Sequence, residues 1–325
     1  MGEFDLIARH FQRPAPSGGA VALGVGDDCA LLQPAPGTQL AISCDMLVEG
    51  RHFFADVDPE ALGHKALAVN LSDLAACGAR PLGCTLALAL PQADDAWLAA
   101  FARGLFALAD AHGCPLIGGD TTRGPLNICI TVFGEVPVVA GRSQALLRSG
   151  AQPGDELWVS GTLGDARLAL EALQGRRTLP AAALAAARAR LERPTPRVAL
   201  GLALRGLASA ALDLSDGLVG DLGHILDASR CGACIDTGAA ARLLGTQDPA
   251  LDEDARLALV LGGGDDYELL FTAPVAQRAA VLAAGRQAGV PVSCIGNLEA
   301  EPGLRLRDAQ GRPVPNRYAS FDHFR

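Results

Sequence analysis

Apolar residues in this chain come in short runs that stop at glycine, proline or aspartate, a pattern of alternating strands and helices. Runs at 21–25, 29–32 and 40–44 predict strands. Asp58 and Pro59 supply an N-cap and an N1 proline, so a helix starts there and runs to about Gly78. On it Ala66, Asn70, Asp73 and Cys77 recur at helical spacing, which puts Asn70 and Asp73 on one face and Leu67, Leu71 and Leu74 on a neighbouring one. Next come a strand at 82–90, a helix at 94–112, a strand at 115–117 leading into Gly118-Gly119-Asp120, and a strand at 127–136.

Between 138 and 153 the pattern breaks into Gly, Arg, Ser and Pro before a second series begins. That series predicts strands at 156–160, 211–214, 267–272 and 292–296, with helices at 163–174, 181–192, 197–208 and 216–229. With 325 residues, more than one core usually accommodates, the expected fold is mixed α/β in two domains, 1–138 and 139–325. One echo links them: Gly24-Val-Gly-Asp-Asp-Cys-Ala-Leu-Leu32 and Gly262-Gly-Gly-Asp-Asp-Tyr-Glu-Leu-Leu270 share their spacing, although Gly-Asp turns before strands are common.

Composition narrows the function classes. Half of the residues are hydrophobic and 19% are charged, which suits a globular protein and argues against disorder. A net charge of −9 disfavours a sequence-independent grip on nucleic acid. No apolar run reaches membrane-spanning length, and the first ten residues lack a basic stretch followed by an apolar one, so a cytoplasmic location is expected. Nine cysteines, an odd number scattered through apolar runs, read as small buried hydrophobes in a reducing compartment. Cys231 and Cys234 follow a helical pattern and enter a strand, which is not the context of a redox pair or a zinc site.

The chemistry lies in the aspartates. Asp28, Asp45, Asp73, Asp120, Asp213 and Asp216 each end an apolar run beside glycine or a small hydroxylated residue. Any one of them has an ordinary reading as a turn residue or helix cap. Together they point to a hard divalent cation, because converging carboxylates repel one another until such an ion accepts their oxygens. No Gly-Lys dipeptide is present, hence no Walker-type loop, and the only lysine, Lys65, is expected to be a solvated residue in mid-helix. Phosphate charge would then be met by metal, backbone N–H groups and arginine, with Gly118-Gly119 allowing close approach and Arg148 available for pairing. His52 is a lone histidine that is equally at home as a surface or a satisfied buried group. No serine or cysteine sits in a nucleophile elbow, which disfavours covalent catalysis.

Taken in order, the segments Gly2-Glu-Phe-Asp-Leu-Ile7, Gly26-Asp-Asp-Cys-Ala-Leu-Leu32, Asp45-Met-Leu-Val-Glu-Gly-Arg-His-Phe53, Lys65 to Ala76, Ile117-Gly-Gly-Asp-Thr-Thr-Arg-Gly-Pro125, Asp213-Leu-Ser-Asp-Gly-Leu218 and Gly264-Asp-Asp-Tyr-Glu-Leu269 resemble the thiamine-monophosphate kinase family. That family groups with aminoimidazole ribonucleotide synthetase, selenophosphate synthetase and a hydrogenase-maturation protein. The resemblance implies an ATP-binding synthetase-like fold. Its N-terminal domain binds ATP and magnesium and forms a homodimer, and its C-terminal α/β domain completes the active site. It implies ATP-dependent phosphorylation of thiamine monophosphate, the last step of thiamine diphosphate synthesis, assisted by several Mg2+ ions.

Carried over by position, the implied metal ligands are Asp28, Ser43, Cys44, Asp45, Asp73, Asp120, Asp213 and Asp216, and the implied ATP contacts are Gly119, Asp120, Arg148 and Ser215. His52, Asp265 and Phe321 are implied to meet thiamine monophosphate. Two positions depart from the family pattern. Cys44 replaces the usual Thr, so a ligand there is expected to be its backbone carbonyl, and Asp265 replaces the usual Glu with a shorter reach. Two alternatives stay open at this stage: another ATP-using member of the superfamily, and a non-enzymatic cation-binding protein, for which no EF-hand spacing is present.

Overall fold

The computed structural model describes residues 2–13, 19–248 and 250–318. The chain divides into two compact units, one of residues 1–74 and 79–144, the other of 75–78 and 145–325.

In the first unit the elements in chain order are α1 (Glu3–His10), β1 (Val21–Leu23), β2 (Leu31–Leu32), β3 (Thr38–Val48), α2 (Pro59–Ala76), β4 (Arg80–Leu90), α3 (Asp95–His112), β5 (Leu116–Arg123), β6 (Asn127–Val139) and β7 (Arg142–Ser143). β1 and β2 form a small antiparallel pair. The main sheet has the order β3-β6-β4-β5, with β7 on the end of β6. β4 and β5 run parallel, joined by α3, and the other pairings are antiparallel. α2 begins where its cap predicts: Asp58 Oδ1 accepts the Glu60 N–H at 3.0 Å. Its apolar stripe of Leu67, Leu71 and Leu74 is at most 1% exposed. From Leu40 onward β3 alternates. Ser43, Asp45 and Leu47 share one face, while Leu40, Ile42, Cys44 and Met46 stand exposed on the other.

Gly118, Gly119 and Asp120 do not follow a strand, as the sequence implies; they lie within β5. Parallel pairing to β4 continues from Leu116 through Arg123, with Gly119 opposite Leu86, and this pairing outweighs the low strand preference of glycine.

The second unit comprises β8 (Glu156–Ser160), α4 (Asp165–Leu173), α5 (Ala181–Glu192), α6 (Val198–Ala203), β9 (Ala210–Asp213), α7 (Leu218–Ser229), β10 (Gly232–Asp236), α8 (Thr237–Ala241), α9 (Glu253–Gly262), β11 (Leu269–Ala273), α10 (Arg278–Gln287), β12 (Val292–Glu299), β13 (Gly303–Arg307) and β14 (Pro313–Val314). Its sheet has the order β14-β13-β10-β12-β8-β11-β9, parallel only between β10 and β13. β8 and β11 are buried along their whole length, as expected for central strands covered on both faces. α6 is shorter than the predicted 197–208, because the chain leaves the helix after Ala203 and turns at Gly206. Cys231 and Cys234 are buried free thiols at the start of β10, and burial pushes both upward from the ordinary thiol range.

Candidate active site

β3 and α2 hold the first group of functional side chains. Asn70 is fully buried and fixes the two elements to each other: its Oδ1 accepts the Asp45 N–H at 3.0 Å and its Nδ2 donates to the Ala66 carbonyl at 3.0 Å. One turn along α2, Asp73 Oδ2 accepts the Ser43 hydroxyl at 2.5 Å. Ser43, Asp45 and Asp73 therefore gather where β3 meets α2. The fold turns Cys44 aside. Its thiol lies on the opposite face, 3.3 Å from Cys129 Sγ.

Asp45 pairs with Ile130, Ile130 with Leu86, and Leu86 with Gly119, so Asp45 and Gly119 stand on one row across the sheet. The far end of that row opens on a cleft of about 770 Å³. Asp28 and the Gly26 turn line one side of it, Gly118, Gly119 and Asp120 another, and Ile7 and Phe11 of α1 give it an apolar flank. Asp28 and Asp120 thus share one cavity, both exposed to solvent.

His52 sits in the turn after β3, where its Nδ1 accepts the Val48 N–H at 3.0 Å. Lys65 is not solvated, contrary to its sequence reading. It is 3% exposed, and its Nζ donates to the His52 carbonyl at 3.3 Å. An ammonium group enters the interior only with oxygen partners, and here it ties α2 to the His52 turn.

In the second unit, Asp213 ends β9 and the chain then bends through Ser215, Asp216 and Gly217 into α7. Asp221, in the first turn of α7 and 4% exposed, accepts the N–H groups of Ser215, Asp216 and Gly217 on one oxygen, each at 3.1 Å. Burial pushes its carboxyl up to about 6 against the opposing pull of these bonds. Across the bend, the Asp265 N–H donates to the Ser215 carbonyl and the Tyr267 N–H to the Leu214 carbonyl, both at 2.8 Å. Asp265 is thereby brought beside Ser215 and Asp216. Asp265 and Tyr267 adopt φ of 68° and 51°, a left-handed region that non-glycine residues seldom occupy. A Cβ at Gly264 would lie 2.4 Å from the Ser215 carbonyl oxygen, so glycine is needed for this approach. Arg148 is exposed, and its segment runs along the edge of β9, where the Leu147 carbonyl accepts the Ala211 N–H at 2.9 Å. Phe321 lies outside the described residues.

Two families match the chain: AIR synthase related protein, N-terminal domain, over residues 26–136, and AIR synthase related protein, C-terminal domain, over 152–309. Thiamine-monophosphate kinase of Salmonella typhimurium is 50% identical, covering 99% of this chain and 98% of that protein. The chain belongs to the thiamine-monophosphate kinase family. The solved thiamine-monophosphate kinase of Stenotrophomonas maltophilia superposes with a TM-score of 0.83 at 46% identity, covering 92% of this chain and 93% of that one. AaThiL, solved in complex with AMPPCP and TMP, superposes with a TM-score of 0.73 at 28% identity, covering 90% and 89% of the two chains.

The donors suit the metal expected in a thiamine-monophosphate kinase. Carboxylates and the Ser43 hydroxyl supply oxygen alone, and the Cys44 sulfur faces away, towards Cys129. Among the described residues, no three His, Cys, Asp or Glu side chains close into a cage. Magnesium does not need one, since it keeps several waters and is commonly held by one or two carboxylates together with substrate phosphates.

Around the loops of the second unit, Asp221 goes unnoticed in the sequence, and Asp266 and Glu268 stand in a segment noted there without being given a role of their own. Glu268 is fully buried, accepts the Ser160 hydroxyl at 2.5 Å and pairs with Arg190 and Arg197. Asp266 is 1% exposed and accepts the Gly164 N–H at 2.8 Å, and burial drives its carboxyl well above the usual range. Asp221 had a visible signal. It lies on the stripe of Leu218, Leu222 and Ile225, where a polar residue needs a buried partner.

Proposed function

We propose that this protein transfers the γ-phosphoryl group of ATP in line onto the phosphate of thiamine monophosphate, giving thiamine diphosphate and ADP. The observation that carries this reading is half identity to thiamine-monophosphate kinase along nearly the whole chain, in a fold whose aspartates gather at strand ends and a cleft. Such a transfer calls for positioning and charge neutralisation more than for a nucleophilic side chain.

In this reading the backbone of Gly119, with Asp120, Arg148 and Ser215, contacts ATP. His52, Asp265 and Phe321 receive thiamine monophosphate. Asp28, Ser43, Asp45, Asp73, Asp120, Asp213 and Asp216 hold several magnesium ions. Bound magnesium neutralises phosphate oxygens and stabilises charge on the transferred group. Cys44 joins the set through its backbone carbonyl, since its thiol lies beside Cys129 on the opposite face.

Domain 1–138 is assigned ATP and metal binding and dimerisation, and domain 139–325 completion of the site. A homodimer is supported by the outer face of β3, where Leu40, Ile42 and Met46 are 51%, 60% and 54% exposed. Ile42→Asp is expected to leave the fold intact and yield a monomer in sedimentation equilibrium; a dimer of undiminished affinity would remove β3 from the interface. A cytoplasmic setting is supported by nine cysteines that are all free thiols.

The decisive assay is ADP release with and without thiamine monophosphate. Release is expected to require both that acceptor and magnesium, because the one lysine, already bonded to His52, cannot screen two polyanions that must touch. Undiminished release in excess chelator sinks the metal assignment. Release without the acceptor favours a different ATP-using member of the superfamily.

A further inference from the structure

Two loops of the second unit that the proposed reaction needs, one at 213–217 and one at 264–268, are joined through two successive peptide groups. In the peptide between Leu214 and Ser215, the carbonyl accepts from the Tyr267 N–H and the N–H donates to Asp221. In the next, between Ser215 and Asp216, the carbonyl accepts from the Asp265 N–H and the N–H again donates to Asp221. Each planar peptide is thus held at both ends, by the Asp221 carboxylate on one side and the 264–268 loop on the other. The Gly217 N–H adds a third bond to the same carboxylate oxygen, and Asp221 is itself anchored in α7.

We infer that Asp221 is the positioning residue that sets the 213–217 loop against the 264–268 loop, so that Ser215 and Asp216 on the nucleotide side and Asp265 on the acceptor side keep one mutual register. The inference rests on the reading under Proposed function, which gives these loops their ligands. Three converging N–H groups before a helix would otherwise be unsatisfied donors, free to rotate their peptides and carry the carbonyls away from Asp265 and Tyr267. The left-handed conformations of Asp265 and Tyr267 persist only while the surrounding bonds over-determine them, and one backbone bond of each ends on a peptide that Asp221 orients.

The test compares Asp221→Ala and Asp221→Asn in the full chain. Asn keeps an acceptor oxygen at the same reach, whereas Ala keeps none. For Asp221→Ala the Michaelis constants for both ATP and thiamine monophosphate should rise about tenfold, and for Asp221→Asn by no more than about threefold. Hydrogen exchange supplies an independent readout: the amides of Ser215, Asp216, Gly217, Asp265 and Tyr267 should lose protection together in the Ala variant and keep it in the Asn variant. A lower melting temperature with both constants within about twofold of wild type would make Asp221 a purely structural cap and overturn the inference. Faster exchange confined to 215–217, with 265 and 267 unchanged, would overturn the coupling. Should Asp221→Ala fail to fold, Asp221→Glu displaces the oxygen while keeping the charge, and unchanged constants for both substrates would overturn the inference equally. If the wild type does not phosphorylate thiamine monophosphate at all, the functional reading fails, and the exchange experiment still decides the role of Asp221.

Discussion

Asp45→Asn, Asp73→Asn and Asp120→Asn are each expected to lower turnover of thiamine monophosphate by about a hundredfold or more, with the fold retained. Asn is close to Asp in shape and keeps an acceptor oxygen, so the Ser43 bond to residue 73 and the Asn70 bond to the backbone of residue 45 survive the exchange. What is lost is one negative charge per variant, at a place where, among the described residues, no preformed cage of side chains can compensate. Steady-state rates at saturating ATP, read alongside melting temperatures, check the result. Near-normal rates in all three variants would reduce these aspartates to caps and turns.

How much of this could be read beforehand differs from residue to residue. α2 is legible because its start carries a capping residue and a proline, and because the Leu67, Leu71 and Leu74 stripe has helical period. The grouping of Asn70 with Asp73 follows from the same period, but their partners on β3 do not, since register between elements is set by tertiary pairing. Strand alternation turns the Cys44 side chain away from Ser43 and Asp45, which is why the expected donor at that position is its backbone carbonyl and not its thiol. Lys65 misleads because a lone cation in an apolar helix usually reaches solvent, and the carbonyl that accepts it lies thirteen residues earlier, in an irregular turn. β13 and α10 escape the sequence reading for a different reason. β13 lies in the polar Gly-Leu-Arg-Leu-Arg stretch and finds its place by parallel pairing to β10, and α10 carries only three buried residues.

The paired glycines of β5 separate backbone architecture from ligand contact. At Gly119, φ is +147° and an added Cβ would lie 1.9 Å from the Leu86 carbonyl oxygen, on the strand that β5 must pair with. Neither backbone can yield without breaking the ladder, so Gly119→Ala is expected to cost about 3 kcal/mol or more of stability and to abolish measurable activity. At Gly118 the nearest atom to a Cβ is Thr85 Cγ2 at 3.7 Å, an ordinary contact, so the protein alone has no objection to alanine there. Both residues line the cleft that also holds Asp28 and Asp120. If a nucleotide phosphate approaches this backbone, the added methyl group of Gly118→Ala must obstruct it. That variant should melt like the wild type while its Michaelis constant for ATP rises several-fold and that for thiamine monophosphate stays nearly unchanged. A Gly119→Ala protein with wild-type melting would refute the steric argument, and a Gly118→Ala protein with unaltered ATP kinetics would move the phosphates away from β5.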